Sequence, residues 1–276
     1  MSRPPRFFIT PDQVREGRVS IIGEDVLHIA TVLRKKTGDE LLVCDGQGTE
    51  YRVRIESAGK QEVVAGVLGI SRREIAGPRV TLGQGIAKAD KMDWIVQKAT
   101  ELGVTSLVPL VTERTIVKIQ DETKRVSRWQ KIAREAAMQS DRPDIPKVWP
   151  VHTYKDLLHA VNGPTPLTPP LPRGDMGGAL RFPPSPDPST LLLLPWEEAA
   201  EPIKNIFVKN ADVQNIVVLI GPEGGFSKAE AGLAKEKGFH PVSLGPFILR
   251  TETAAIAALS MVSYAYRSRP DLAELR

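Results

Sequence analysis

Leu244-Gly-Pro-Phe-Ile-Leu-Arg250-Thr-Glu252-Thr-Ala-Ala255 decides how this chain is read. Glycine beside proline stops a strand, because one residue permits unusual dihedrals while the other fixes φ and lacks an amide proton. The apolar segment before it therefore reads as a short strand and the Ala-rich run after it as a long helix, with Thr251 able to cap and Glu252 suited to the positive end of the dipole. A plain helix start would account for both residues equally well. A second stretch of the same kind tips the balance: Asn215-Ile-Val-Val-Leu-Ile220-Gly221-Pro-Glu223-Gly-Gly225-Phe-Ser227. Strands that run into glycine turns and then helices imply loops converging at one edge of an open α/β sheet, where such sheets bind ligands. The turn has neither the Gly-Lys-Ser/Thr ending of a phosphate loop nor GxGxxG spacing. Glu223 sets a carboxylate where a pyrophosphate would lie, which points to a cationic, nucleoside-like ligand carrying an ammonium or sulfonium. Ser227-Lys-Ala-Glu230 reads as a capping box and is assigned to structure.

Outward from these turns, composition sets limits. With 276 residues, 41% apolar and 25% charged, the chain has room for one large or two modest cores. The 37 basic and 33 acidic side chains leave +4, compatible with a polyanion partner without requiring one. A single cysteine, Cys44, excludes an internal disulfide and a multi-cysteine zinc site and fits a reducing compartment, so the cytoplasm is expected. No apolar run approaches the ~18 residues that span a bilayer, and Met1-Ser-Arg-Pro-Pro-Arg lacks a signal peptide's apolar core. His28, His152, His159 and His240 form no ligand-spaced cluster, so no metal is expected, and no GxSxG elbow marks a serine hydrolase.

Residues 1–73 read as a small barrel of short strands, Val19 to Ile22, Glu40 to Val43, Glu50 to Ile55 and Glu62 to Ile70, with a tight turn at Asp45-Gly46. Between them Asp25 to Arg34 has helical spacing and a basic end, Arg34-Lys35-Lys36, which suits phosphate contact or simply a solvated face. Arg72-Arg-Glu-Ile-Ala-Gly-Pro78 marks the boundary to a second domain, 74–276. There Val80 to Ala87 reads as a strand. Asp90 is placed to cap a helix carrying Met92, Ile95, Val96, Ala99 and Leu102, and Gly103 ends it. With the strand Ser106 to Val111 this completes a β-α-β unit, so a mainly parallel sheet with helices on both faces is expected.

Lys88 and Lys91 flank that helix's start, where positive charge opposes the dipole and hints at a nearby anion. From Arg114 to Lys147, nine basic residues face five acids. The helix within this region turns Trp129 and its apolar neighbours inward, so Trp129 reads as core. Residues 163–188 contain nine prolines and read as a surface insertion with no assigned role. Leu191 to Leu194 resumes the sheet, and Pro195-Trp196-Glu197-Glu198 is expected to start a helix.

Three stretches in order, Lys88 to Val104 (KADKMDWIVQKATELGV), LIGPEGGFS and LGPFILRTETAA, resemble the SPOUT-class methyltransferases. Within that class the likeness is to the 16S ribosomal RNA uracil-N3 methyltransferase family, over nearly the whole chain. The resemblance implies an α/β domain knotted as a trefoil around a parallel sheet, preceded by a PUA-like β-barrel that binds RNA. It implies S-adenosylmethionine as cofactor, bound bent in the knot, and a homodimer acting on 16S rRNA, with the assembled small ribosomal subunit as the expected setting and free rRNA left open as the alternative. The pocket it implies takes Ile220, Gly221, Pro222, Glu223, Gly224 and Gly225 from one turn. From the other it takes Leu244, Gly245, Ile248, Leu249, Thr253 and Ala254, with Leu194 and Trp196 as a third wall. Arg6, Arg34, Lys91, Arg114 and Arg142 become RNA-contact candidates, although Asp141 stands where the family usually has a small residue.

Methylating a uracil N3 requires that its proton be lost and that the base be unpaired or turned out of its stack. Arg250 is expected to stabilise negative charge on the uracil oxygens, and Glu252 or Glu223 to accept the proton or hold Arg250. The sequence leaves open which carboxylate acts. The rival reading is an RNA-binding module whose glycine turns are only structural; binding of S-adenosylmethionine separates the two.

Overall fold

The computed structural model describes residues 4–73, 75–117, 120–162 and 189–267. The proline-rich stretch 163–188 lies outside the described residues. Two compact units divide the chain: residues 1–75 with 134–145, and residues 76–133 with 146–276. Residues 134–145 group with the first unit although they lie far from it in sequence.

In the first unit six strands form one sheet: β1 (Arg6–Phe8), β2 (Val14–Arg15), β3 (Arg18–Ile22), β4 (Glu40–Cys44), β5 (Thr49–Ala58) and β6 (Glu62–Arg72). Their order is β1-β4-β5-β6-β3-β2, antiparallel except for β1 against β4. Alternate residues, Val19 and Ile21, Leu41 and Val43, Val53 and Ile55, Val63 and Ala65, fill one core with Phe7 and Ile29. That alternation is what a sheet with one buried face requires. The helical segment is split into α1 (Glu24–Leu27) and a π-helical turn, His28–Val32.

The second unit is built on β7 (Arg79–Gly85), β8 (Ser106–Val111), β9 (Lys147–Val148), β10 (His152–Thr153), β11 (Thr190–Pro195), β12 (Asn215–Ile220) and β13 (His240–Val242). Every pairing is parallel, in the order β10-β8-β7-β12-β11-β13, with β9 also on β8. Helices α2 (Lys91–Glu101), α3 (Glu122–Gln139), α4 (Tyr154–Asn162), α5 (Ile203–Lys209), α6 (Lys228–Glu236) and α7 (Thr251–Tyr266) complete it; α3 runs on past Ala133 into the segment grouped with the first unit.

The sheet is covered on both faces, as its near-continuous apolar strands demand. Ile216, Val218, Ile220, Leu191 and Leu193 pack with Ile95, Trp129, Ala258 and Val262 on one side. Val217, Leu219, Leu192 and Leu194 pack with Leu157, Leu158, Ala231 and Ala234 on the other. Trp129 is core, and its indole N–H donates to Asp93 at 3.1 Å. The capping box at Ser227 and Glu230 forms as expected.

One helix start differs from expectation. Pro195 ends β11, and the Trp196 N–H donates to the Val242 carbonyl at 3.1 Å, which carries the chain on beside β13; the helix begins only at Ile203. Asp90 occupies the N-cap of α2 without a side-chain cap bond, and the N-cap of α7 is Arg250 rather than Thr251.

Candidate functional site

Parallel pairing puts the C-terminal ends of β7, β11, β12 and β13 on one edge of the sheet, and β12 lies between β7 and β11 although it follows both in sequence. Reversals of this kind open a crevice at the strand ends. Here the backbones approach so closely that side chains would not fit: a Cβ on Gly85 would lie 2.5 Å from the Pro222 nitrogen, and one on Gly221 would lie 2.9 Å from the Gly225 carbonyl carbon.

The two glycine turns meet through Thr251. Its hydroxyl donates to the Gly221 carbonyl and accepts from Gln84 Nε2 at 3.0 Å. Gln84, fully buried at the end of β7, also donates to the Gly85 carbonyl at 2.9 Å. Thr251 therefore staples the start of α7 to the turn after β12 instead of capping its own helix.

Beside this junction is a cleft of about 130 Å³ lined by Trp196, Leu244, Gly245, Ile248, Leu249 and Ala254, all expected there. Pro195, Glu197, Ser243, Pro246 and Phe247 complete the lining. Leu194 and Ile220 are instead buried in the two cores, where they support the loops from behind. Thr253 is exposed on the first turn of α7. Gly225, at φ +66°, lies beside Glu197: a Cβ there would be 3.2 Å from the Glu197 carboxylate.

Glu197 was not singled out from the sequence. Its signal there is position, an acid directly past an apolar strand at the C-terminal edge of the sheet.

The charges are distributed otherwise than the motifs imply. Lys91 Nζ lies 3.2 Å from Glu252 Oε2 and 3.6 Å from Glu223 Oε1, and the Lys88 N–H donates to Glu223 Oε1 at 2.9 Å. Burial pushes the Glu223 carboxyl up, but the backbone N–H groups of Lys88 and of Glu223 itself, with the charges of Lys91 and Lys88, outweigh it and leave it below the ordinary carboxylate range. The acid expected to attract a cationic ligand thus already has the chain's own cation. Glu197 faces the cleft with no ion-pair partner among the described residues. Arg114 donates to the Gly224 carbonyl at 2.7 Å. Arg250 is exposed, directly after the cleft residue Leu249, and has no ion-pair or side-chain hydrogen-bond partner among the described residues.

In the first unit Arg6 and Arg142 are only 7% and 5% exposed. Arg6 pairs with Glu50 and Asp141, each at 2.7 Å, and donates to the Arg142 carbonyl at 3.1 Å, while Arg142 pairs with Asp144 at 2.8 Å. Asp141 adopts φ +57°, a conformation a short polar side chain tolerates, and this turns its carboxylate to Arg6. Neither arginine has the exposure that contact with RNA needs. Burial, only partly offset by Arg6, pushes the Cys44 thiol up to about 12. Arg34, in contrast, is exposed at φ +51° with no partner among the described residues.

No helix among the described residues is long and apolar enough to cross a membrane, and no group of three or more His, Cys, Asp or Glu among them is placed to hold a metal ion.

Comparison with known proteins agrees with this architecture. Residues 76–263 match the model of an RNA methyltransferase domain. The chain belongs to the RNA methyltransferase family. Residues 21–68 match the PUA domain found in RNA methyltransferases. A Bacillus subtilis relative named ribosomal RNA small subunit methyltransferase E is 33% identical, covering 94% of this chain and 96% of the relative. One of the same name from Synechocystis is 32% identical over 94% of this chain and 77% of its own length. The crystal structure of the Neisseria gonorrhoeae enzyme of that name, bound to S-adenosyl methionine, superposes with a TM-score of 0.76 at 30% identity, covering 95% of this chain and 97% of that one. An RNA methyltransferase of this architecture is an enzyme, so the reading of the chain as a binding module without catalysis is set aside.

Proposed function

We propose that this chain transfers the methyl group of S-adenosylmethionine to N3 of a specific uridine in 16S rRNA, and does so on the assembled small ribosomal subunit. What carries the proposal is Arg250: an exposed guanidinium without a partner among the described residues, directly after a wall of the apolar cleft and directly before the Thr251 staple.

The cleft suits the cofactor. Apolar side chains and main-chain edges from Leu244 to Leu249 match a nucleoside, Trp196 supplies an aromatic wall, and Glu197 supplies an acceptor for hydroxyls or positive charge. When bound, S-adenosylmethionine supplies an electrophilic methyl group on a positively charged sulfur. Arg250 stabilises the negative charge that develops on the uracil oxygens as the N3 proton leaves. Glu252 is the carboxylate this reading assigns as proton acceptor. Arg34 and Arg114 contact the phosphate backbone, which gives affinity without sequence preference.

The same reading knots the C-terminal segment through the turn after β12, supported by the bond from Thr251 back to Gly221. It also pairs two copies of the chain. In support, an apolar groove of about 640 Å³ is lined by Ile203, Phe207, Val208, Leu244, Met261 and Tyr264, with Val208 83% and Tyr264 93% exposed. Sedimentation equilibrium giving a monomer would remove the dimer.

The activity is tested by treating naked 16S rRNA and small subunits with the protein and S-adenosylmethionine and mapping modified bases by mass spectrometry. A single N3-methyluridine is expected in the subunits. In Arg250→Ala that product is lost while calorimetry still reports cofactor binding; unchanged turnover in this variant would remove Arg250 from the mechanism.

A further inference from the structure

Lys91 opens α2, where a positive charge opposes the helix dipole and needs local compensation. Glu252, in the first turn of α7, and Glu223, in the turn after β12, provide it at 3.2 and 3.6 Å. One ammonium therefore joins three segments that are far apart in sequence. The Glu252 side chain is only 16% exposed; its Oε2 is shut off from solvent and has no other polar partner among the described residues. Lys91 is thus the group that makes a largely buried carboxylate tolerable at the start of α7, and leaving such a charge unpaired is costly. Arg250 stands two residues earlier, at the N-cap of the same helix, so its position is set by how that first turn is held.

We propose that Lys91 is a positioning residue for methyl transfer, clamping the start of α7 to the glycine turn so that Arg250 is held at the substrate, and that it does not itself contact RNA. The proposal rests on the assignment of Arg250 to the reaction. It separates the two roles a lysine can have here: a phosphate contact contributes to RNA affinity and salt dependence, whereas a positioning residue contributes to the chemical step.

The test is steady-state methylation of small subunits by wild type, Lys91→Ala and Lys91→Arg at several salt concentrations, with cofactor binding measured in parallel by calorimetry. For Lys91→Ala, kcat is expected to fall about 10- to 100-fold, the scale of a misplaced catalytic group, while KM for the subunit stays within about twofold. The salt dependence of KM stays that of wild type. Lys91→Arg, which keeps the charge, recovers most of the rate. Should Lys91→Ala not fold, Lys91→Gln keeps the stem without the charge and carries the same comparison. A raised KM with unchanged kcat and a salt slope smaller by about one would make Lys91 an RNA contact and overturn the proposal, as would unchanged kinetics. A wild-type protein that transfers no methyl group overturns the underlying activity and the positioning role with it; an active wild type with an unaffected Lys91→Ala overturns the positioning role alone.

Discussion

Thr251 and Gly221, 30 residues apart, are joined by a buried hydrogen bond from the threonine hydroxyl to the glycine carbonyl. Gln84 donates to the same hydroxyl, so β7, the turn after β12 and α7 share one buried polar junction. A buried junction of this kind fixes geometry because each member is costly to leave unpaired. What it fixes is the relation of the Gly221–Gly225 turn to the cleft residues Leu244–Leu249.

Thr251→Val removes the hydroxyl while keeping the branched shape. The Gly221 carbonyl loses its short bond from the hydroxyl and keeps only a long one from Gln84 at 3.5 Å, while Gln84 keeps its bond to the Gly85 carbonyl, together a cost of about 1–3 kcal/mol. The urea midpoint is expected to fall with an unchanged m-value, and affinity for S-adenosylmethionine to weaken because the turns are no longer held together. Thr251→Ser, which restores the hydroxyl, recovers most of both. An unaltered midpoint in the valine variant would show that the junction holds nothing.

Much of this was legible in the chain, for identifiable reasons. Runs such as Asn215–Ile220 are buried on both faces, so their apolar signal is unbroken, and glycine turns announce themselves because no other residue survives the contacts at Gly85 and Gly221. Pair formation between distant side chains has no such signature. Arg6 and Arg142 look like free basic residues in sequence, and only the fold brings Glu50, Asp141 and Asp144 to them. Lys91 and Glu223 were read separately as an anion seeker and a cation seeker, and the fold lets them satisfy each other. The helix start expected at Pro195 and the capping role expected of Thr251 both fail because capping chemistry is a local signal, while the Trp196 N–H bonds to Val242 and the Thr251 hydroxyl to Gly221; the helix itself starts at Thr251 as its sequence implies. The grouping of residues 134–145 with the first unit is likewise a long-range fact, carried by pairings such as Arg134 with Asp25 at 2.7 Å.

Glu197 offers a separate test of the cleft. It is the carboxylate lining the cleft that no cation of the described chain neutralises. A bond to a charged acceptor is worth about 1.5–3 kcal/mol, and Gln keeps an acceptor without the charge. Glu197→Gln is therefore expected to weaken S-adenosylmethionine binding about tenfold, equivalent to about 1.4 kcal/mol, with kcat at saturating cofactor little changed. Calorimetry reports the first quantity and saturation kinetics the second. Wild-type affinity in the variant would place Glu197 outside the contact.

Glu223 makes a prediction about acid. Its folded carboxyl titrates below its ordinary value of 4.5, so the unfolded chain binds the proton more readily than the folded one. Its contribution to stability is accordingly complete above about pH 4.5 and is lost as pH falls through the lower, folded value. Glu223→Gln lacks that contribution at every pH. The gap between the urea midpoints of wild type and Glu223→Gln should be widest at neutral pH and close as the solution is acidified below about 4.5. Raising salt should narrow the part due to Lys91 and Lys88 more than the part due to the Lys88 N–H, because the charges lie near solvent and the amide is held by the backbone. A gap that stays constant from pH 7 to pH 3 would mean that the side chain is held by packing rather than by its charge.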